Sequence, residues 1–180
     1  MPDLSQARQP PLLSEDVWLR VLPPACRWVL RGGPEVRAAA QDALGFAVPA
    51  QACRAGGSGE PAALWLGPDE WLLLAAPCEA GLATRLERAL EHLPHSLVDI
   101  SHRQVALLVH GAWASTLLGS GCPLDLDLQA FPVGTCTRTV LAKAEVVLWR
   151  TAPAQFRLEV WRSFAPYVTQ FLHESARGMI

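Results

Sequence analysis

The sequence predicts an α+β protein, and three observations carry that prediction. Leu82, Leu86, Leu90 and Leu93 recur at the spacing of one helix face, while Arg85, Arg88 and Glu91 fall off that stripe. Runs such as AALWLGPDEWLLLAA, RQVALLVHG and QFRLEVWR have the length and the β-branched and aromatic content of strands. Helical and strand-like segments also alternate along the chain, so layers of sheet and helix share the core. With 180 residues, 51% hydrophobic and 18% charged, there is enough apolar side chain to bury one.

Taken in order, residues 1–24 carry five prolines and little periodicity and are expected to form an extended arm outside the core. CRWVLRG from Cys26 reads as a strand. PEVRAAAQDALG reads as a helix with Pro34 in its first turn and Gly45 past its end. CRAGGSGEP, from Cys53 to Pro61, reads as a flexible turn, and Gly67-Pro68-Asp69-Glu70 joins two apolar runs into a hairpin. An amphipathic helix from Glu79 to Leu93 completes a first half.

The second half repeats the order. SLVDIS and RQVALLVHG read as strands, AWASTLLGSG as a short helix, and TCTRTVLAKA, AEVVLWRT and QFRLEVWR as three more strands. In the last helix Phe164, Val168, Phe171 and Leu172 share a face, with Ser163 as N-cap and Pro166 in the first turn. The expectation is a single domain over 25–180, built of two similar sheet-plus-helix halves at about 25–95 and 96–176.

Several function classes are disfavoured. Net charge is −2, with 15 basic and 17 acidic residues and no Lys/Arg run, so neither nucleic acid nor anionic lipid is an expected partner. No stretch of about 18 apolar residues and no charged leader before an apolar segment is present, so a soluble, cytoplasmic protein is expected. Cys26, Cys53, Cys78, Cys122 and Cys136 are odd in number and widely spaced, which predicts free thiols in a reducing compartment. Seven of the thirteen aromatics are Trp, compatible with a Trp-rich core or with a partner surface.

Catalytic signatures are equally sparse. Gly56-Gly57-Ser58-Gly59 and Gly119-Ser120-Gly121 match neither a dinucleotide fingerprint nor a P-loop. His92 and His95 are separated by Pro94, which breaks the helix needed to aim both rings at one metal. Asp99, Ser101 and His102 lack a nucleophile elbow, and adjacent strand residues point to opposite faces, so Asp99 and Ser101 are expected to bond backbone groups at a strand end. No catalytic, cofactor-binding or metal-binding residue is expected on this chain.

One stretch breaks its own pattern. In RLEVWRSF, Leu158 and Val160 occupy one strand face and Arg157 and Glu159 the other, yet Trp161 falls on the charged face and Arg162 on the apolar one. Either a bulge turns Trp161 into the core, or the indole meets a partner. Arg103, Arg138 and Arg162 are further contact candidates, because a guanidinium pairs in bidentate fashion at interfaces. Turn geometry accounts for Asp69 without a partner, and Glu70 beside it is equally ambiguous.

Three stretches carry a resemblance: LGPDEWLLLA (66–75), LVDISHRQVALLVHGAWASTLLGSGCPLDL (97–126) and AFPVGTCTRTVLAKAEVVLWRTAPAQFRLEVWRSFAPYVTQFL (130–172). The chain resembles the gamma-subunit family of heterotetrameric sarcosine oxidases, and more broadly is similar to the folate-binding part of aminomethyltransferases of the glycine cleavage type. Residues 1–60 add little to it. The resemblance implies an aminomethyltransferase folate-binding-like fold and a place beside alpha, beta and delta subunits. It also implies a complex that oxidises sarcosine to glycine, releasing hydrogen peroxide with formaldehyde or, with tetrahydrofolate, 5,10-methylenetetrahydrofolate. FAD in beta, FMN at the alpha-beta junction, NAD in alpha and zinc in delta are implied as well, with none on this chain.

The departure from the aminomethyltransferases is as informative. Those enzymes have a longer glycine-containing hairpin, with the folate-site aspartate, where this sequence has only Lys143-Ala144-Glu145. The resemblance thus implies a reduced site kept as a docking surface, with Trp161 and Arg162 packing on the large subunit. Two alternatives stand beside it: an autonomous folate-dependent one-carbon or cofactor-assembly protein, and an orphan scaffold domain.

Overall fold

The structure, a computed structural model, describes residues 12–14, 16–57, 59–77 and 81–179. The chain opens with strands β1 (Leu12–Ser14), β2 (Val17–Val21) and β3 (Cys26–Gly32), followed by helix α1 (Pro34–Leu44). Strands β4 (Ala55–Gly56), β5 (Ala62–Gly67) and β6 (Glu70–Ala75) lead to α2 (Leu82–Leu90). Then come β7 (His95–Asp99), β8 (Gln104–His110) and α3 (Ala114–Gly119). The last elements are β9 (Cys136–Leu141), β10 (Ala144–Ala152), β11 (Gln155–Trp161) and α4 (Ala165–Arg177).

These elements group into two compact units, one of residues 24–101 with 134–137, the other of residues up to 23 with 102–133 and 138 onward. In the first, a five-stranded sheet in the order β4-β5-β6-β3-β7 carries α1 and α2. Leu30, Trp71 and Leu73 pack with Val36, Ala40 and Leu44 of α1 and with the Leu82, Leu86 and Leu90 stripe of α2. Pro34 opens α1 where its missing N–H costs nothing, and Gly45 closes it in the left-handed region at φ 78°. In the second unit a six-stranded sheet, β1-β2-β8-β11-β10-β9, packs Leu107, Val109, Leu148, Leu158 and Val160 against Leu117 and Leu118 of α3 and Val168, Leu172 and Ala176 of α4.

The two units share a winding. In the first, β3-α1-β5-β6-α2-β7 brings β7 antiparallel beside β3. In the second, β8-α3-β10-β11-α4 follows the same path, but the place beside β8 is taken by β2 from the other end of the sequence, with Trp18 opposite His110 and Val21 opposite Leu107.

This corrects the expected arm over 1–24. Residues 1–11 lie outside the described residues, but Val17 and Leu19 are fully buried in the second core. Their alternation with Trp18 and Arg20 spans too few residues to stand out beside the prolines.

Other differences are local. The expected flexible turn over 53–61, apart from Ser58, which is outside the described residues, contains β4, paired with β5. Gly56 is required there because a Cβ would collide with the Ala47 carbonyl. Helix α2 begins at Leu82, after Gly81 in the left-handed region at φ 93°; Cys78 and Glu79 lie outside the described residues. Helix α4 begins after Phe164, which holds the cap position without a side-chain bond, so Ser163 is not the N-cap. Phe164 is exposed instead of lining the buried face with Val168 and Leu172.

Candidate functional site

The break in RLEVWRSF resolves without a bulge. β11 pairs with β8 in unbroken register from Gln155↔His110 to Trp161↔Gln104, and with β10 from Val146↔Val160 to Arg150↔Phe156. Phe156, Leu158 and Val160 enter the core on one face. On the other, Arg157 and Glu159 are not solvated as their charge suggests. Both are buried, Glu159 to 1% exposure, with Nε 2.8 Å from Oε1. Burial of an ion pair is tolerable only with such direct geometry.

Trp161 closes the strand and is the residue left in solvent, 41% exposed. The Arg103 guanidinium lies 5.1 Å from its ring centroid, a cation–π contact. Arg162 has left the strand: it is exposed, and its backbone N–H donates to the Arg103 carbonyl at 2.9 Å. The chain then turns, the Phe164 N–H donating to Trp161 O at 2.8 Å, which sets Phe164 (44% exposed) beside the indole. Tyr167, one helical turn on, is exposed too.

Across from this aromatic end is the shortened join. β9 and β10 are connected by Ala142 and Lys143 alone, with Ala142 in the left-handed region at φ 51°. Lys143, Glu145, Trp161 and Phe164 line a shallow, open depression of about 230 Å³. Glu145 is the one carboxylate among these lining residues and is itself exposed. Ligand sites that orient a small molecule are concave and bury most of its surface, commonly in about 300–1,000 Å³; this depression is smaller and open, and its two charged side chains, Lys143 and Glu145, are both exposed. It presents a flat aromatic surface with charges at its rim.

The structure thus brings Arg103, Trp161 and Arg162 together. Arg138 is exposed on β9 and is not among the residues lining the depression. Asp99 and Ser101 bond backbone groups: Ser101 N–H donates to Asp99 Oδ1 at 2.8 Å, and Arg27 N–H to Ser101 Oγ at 2.9 Å. His102 is exposed, and the exposed His95 ring meets the Leu93 carbonyl at 2.8 Å. Asp69 pairs with Arg31 at 2.9 Å on the surface, a contact of little energetic weight. Among the described residues, no cluster of three or more His, Cys, Asp or Glu could hold a metal ion, and no helix is long and apolar enough to cross a membrane.

Sequence reasoning missed Arg150. It sits on the core-facing side of β10 with Val146 and Leu148, and there its fork gathers carbonyls. Nη1 donates to Leu126 O at 3.0 Å and Phe131 O at 2.8 Å, and Nη2 to Pro153 O at 2.6 Å and Ser115 Oγ at 3.3 Å. The guanidinium also lies 4.7 Å from the Phe156 ring centroid. Burial pushes its pKa below the usual arginine range, with Asp127 opposing that shift. The signal was an arginine in register with the apolar residues of AEVVLWR.

Comparison with known proteins gives this geometry a context. Residues 31–177 match the model of the family described as Sarcosine oxidase, gamma subunit family. The chain is 41% identical to a sarcosine oxidase subunit gamma of Arthrobacter sp over 66% of its length and 59% of that protein's. With the corresponding subunit of Corynebacterium sp. (strain P-1) it shares 38% identity over 75% of its length and 66% of the relative's. The matched part thus spans roughly three fifths to two thirds of these relatives. Among solved structures, a chain of the heterotetrameric sarcosine oxidase from Corynebacterium sp. U-96 superposes with a TM-score of 0.86 at 32% identity, covering 90% of this chain and 84% of that one. The aminomethyltransferase T of the glycine cleavage system from Bartonella henselae matches with a TM-score of 0.65 at 11% identity, over 87% of this chain and 45% of that one, a likeness of fold alone.

Proposed function

The chain belongs to the sarcosine oxidase gamma subunit family, and from that premise we propose that it is a non-catalytic subunit docked to its complex through the aromatic end of β11 and α4. The complex oxidatively demethylates sarcosine to glycine, forming hydrogen peroxide together with formaldehyde or, from tetrahydrofolate, 5,10-methylenetetrahydrofolate. Alpha, beta and delta subunits are its partners, and FAD, FMN, NAD and zinc reside on them.

The observation that carries the docking reading is the exposed Trp161, stacked with Arg103 and set beside Phe164 over an open depression. Trp, Tyr and Arg dominate the energetically important centres of interfaces, because a large flat side chain excludes water at little entropic cost. Lys143 in the lining of the depression and the exposed Arg162 that follows Trp161 in the chain add charges suited to pairing with a partner's carboxylates. The two-residue turn at Ala142–Lys143 supports a surface role over a folate site, since it leaves the depression without the walls that a pterin needs.

Co-expression of the complex with Trp161→Ala tests this. Truncation of a central aromatic costs about 2 kcal/mol or more of binding, roughly 30-fold, so this subunit is expected to be lost on affinity purification while its own melting temperature holds. Retained assembly with a lowered melting temperature would reverse the assignment. Calorimetric titration of the purified chain with tetrahydrofolate separates the autonomous folate reading, which requires binding without partners. A chain showing neither association with a flavoprotein nor folate binding is an orphan scaffold.

A further inference from the structure

Cys53 and Cys136 are 83 positions apart in the sequence and face each other in the fold. Arg54 and Thr135 form an antiparallel bridge, and Cys136 N–H donates to Cys53 O at 3.0 Å. That bond makes Cys53 and Cys136 the next opposed pair just beyond the bridge, a direct backbone hydrogen bond that brings their Cα atoms close to the roughly 4.4–6.8 Å a disulfide spans. Arg54 Nη1 reaches Thr135 Oγ1 at 3.4 Å, and the Cys53 thiol is near enough to act electrostatically on Cys136.

Their surroundings differ in a useful way. Cys136 is fully buried, its Sγ 3.7 Å from the Trp65 carbonyl, while Cys53 is half-buried. Burial pushes the Cys136 thiol up to about 12, the Trp65 carbonyl and Arg54 counteracting and Cys53 adding to it. Cys53 also sits at φ 59°, a left-handed conformation uncommon for a residue with a side chain. Such outliers persist where the surroundings enforce them, often at functional positions.

We propose that Cys53 and Cys136 form an oxidation site, with Cys53 reacting first with a peroxide and Cys136 resolving it as an intrachain disulfide. In the first step the Cys53 thiolate attacks one oxygen of hydrogen peroxide. The O–O bond breaks, the departing hydroxide takes a proton and leaves as water, and Cys53 becomes a sulfenic acid. In the second step the Cys136 sulfur attacks the Cys53 sulfur, the S–O bond breaks, and the hydroxyl leaves with the Cys136 proton as a second water. Two thiols are oxidised and one peroxide is reduced to two waters. Peroxide from any source suffices, so the site stands apart from the docking reading, although an oxidase that releases peroxide would expose this chain to it directly.

The test uses the chain as purified with its partners, treated with hydrogen peroxide, alkylated under denaturing conditions and digested without reductant. The expected product is one Cys53–Cys136 cross-linked peptide, released by dithiothreitol, with Cys26 and Cys122 alkylated as in the untreated protein. Dimedone, which traps sulfenic acid, is expected to label Cys53 at least tenfold more in Cys136→Ser than in the wild type. Cys136→Ala repeats that measurement should serine disturb the buried site. Equal labelling of Cys53 with and without Cys136, Cys53 carried to sulfinic acid in the wild type, or both thiols fully alkylated after peroxide would each overturn the proposal.

Discussion

Arg150→Met keeps an unbranched side chain over the Phe156 ring and removes every donor that holds the surrounding carbonyls. Two of those, Leu126 O and Phe131 O, are bonded by Nη1 in buried surroundings. Each acceptor stranded without a partner costs about 1–3 kcal/mol. Pro153 is exposed, so water can replace the guanidinium there at little cost. Removing a buried charge returns part of its desolvation penalty. The net effect is about 3 kcal/mol, roughly 150-fold in a local opening equilibrium.

Hydrogen exchange on the assembled complex reads this directly. The Asp127, Gln129 and Phe131 amides, bonded to Asp125 Oδ1, Asp127 Oδ1 and Asp127 O, report on the segment that Arg150 clamps. They are expected to exchange about 100-fold faster in Arg150→Met, while amides of α1 and α2 keep their wild-type rates. Arg150→Lys, with one compact ammonium in place of a fork, is expected to fall between. A change of less than about threefold in the 127–131 amides would refute the clamp.

Other consequences are testable in the same way. Leu19→Ala is expected to cost about 2–5 kcal/mol by urea denaturation, the range for a buried Leu, whereas an arm outside the core would lose less than about 0.5. Ser163→Ala should change stability by less than about 0.5 kcal/mol; a loss near 1 kcal/mol, the worth of an N-cap, would restore Ser163 to that role. Ala142→Gly relieves a left-handed residue and is expected to add roughly 0.5–1 kcal/mol to the unfolding free energy, read as a higher urea midpoint at constant slope; a fall would show that the turn is unstrained.

Much of the fold was legible because its signals are local. The Leu82–Leu86–Leu90 stripe, Pro34 before α1 with Gly45 after it, and the Pro68–Asp69 turn each declare an element from a few neighbouring residues. What escaped depends on pairing between distant segments. β2 is a strand because β8 lies beside it, and nothing in VWLRV names that partner. The burial of Arg157 and Glu159 was hidden because alternation distinguishes the two faces of a strand without saying whether the second is covered. For the candidate site, the short Lys143–Glu145 join and the misfit of Trp161 were visible in the sequence. That the misfit is exposed, and not absorbed by a bulge, required the register.

The strand borrowed by the second sheet also orders events during biosynthesis. β2 leaves the ribosome about 90 residues before the β8 segment it must join, and at 5–20 residues per second that is a wait of roughly 5–20 s. Throughout that interval Val17 and Leu19 have no slot to enter, so the nascent chain must keep a sticky ribbon apart from neighbouring polysomes. A fusion or trimming at this end would act beside a strand paired on both sides, and its damage would surface as poor yield before any loss of turnover.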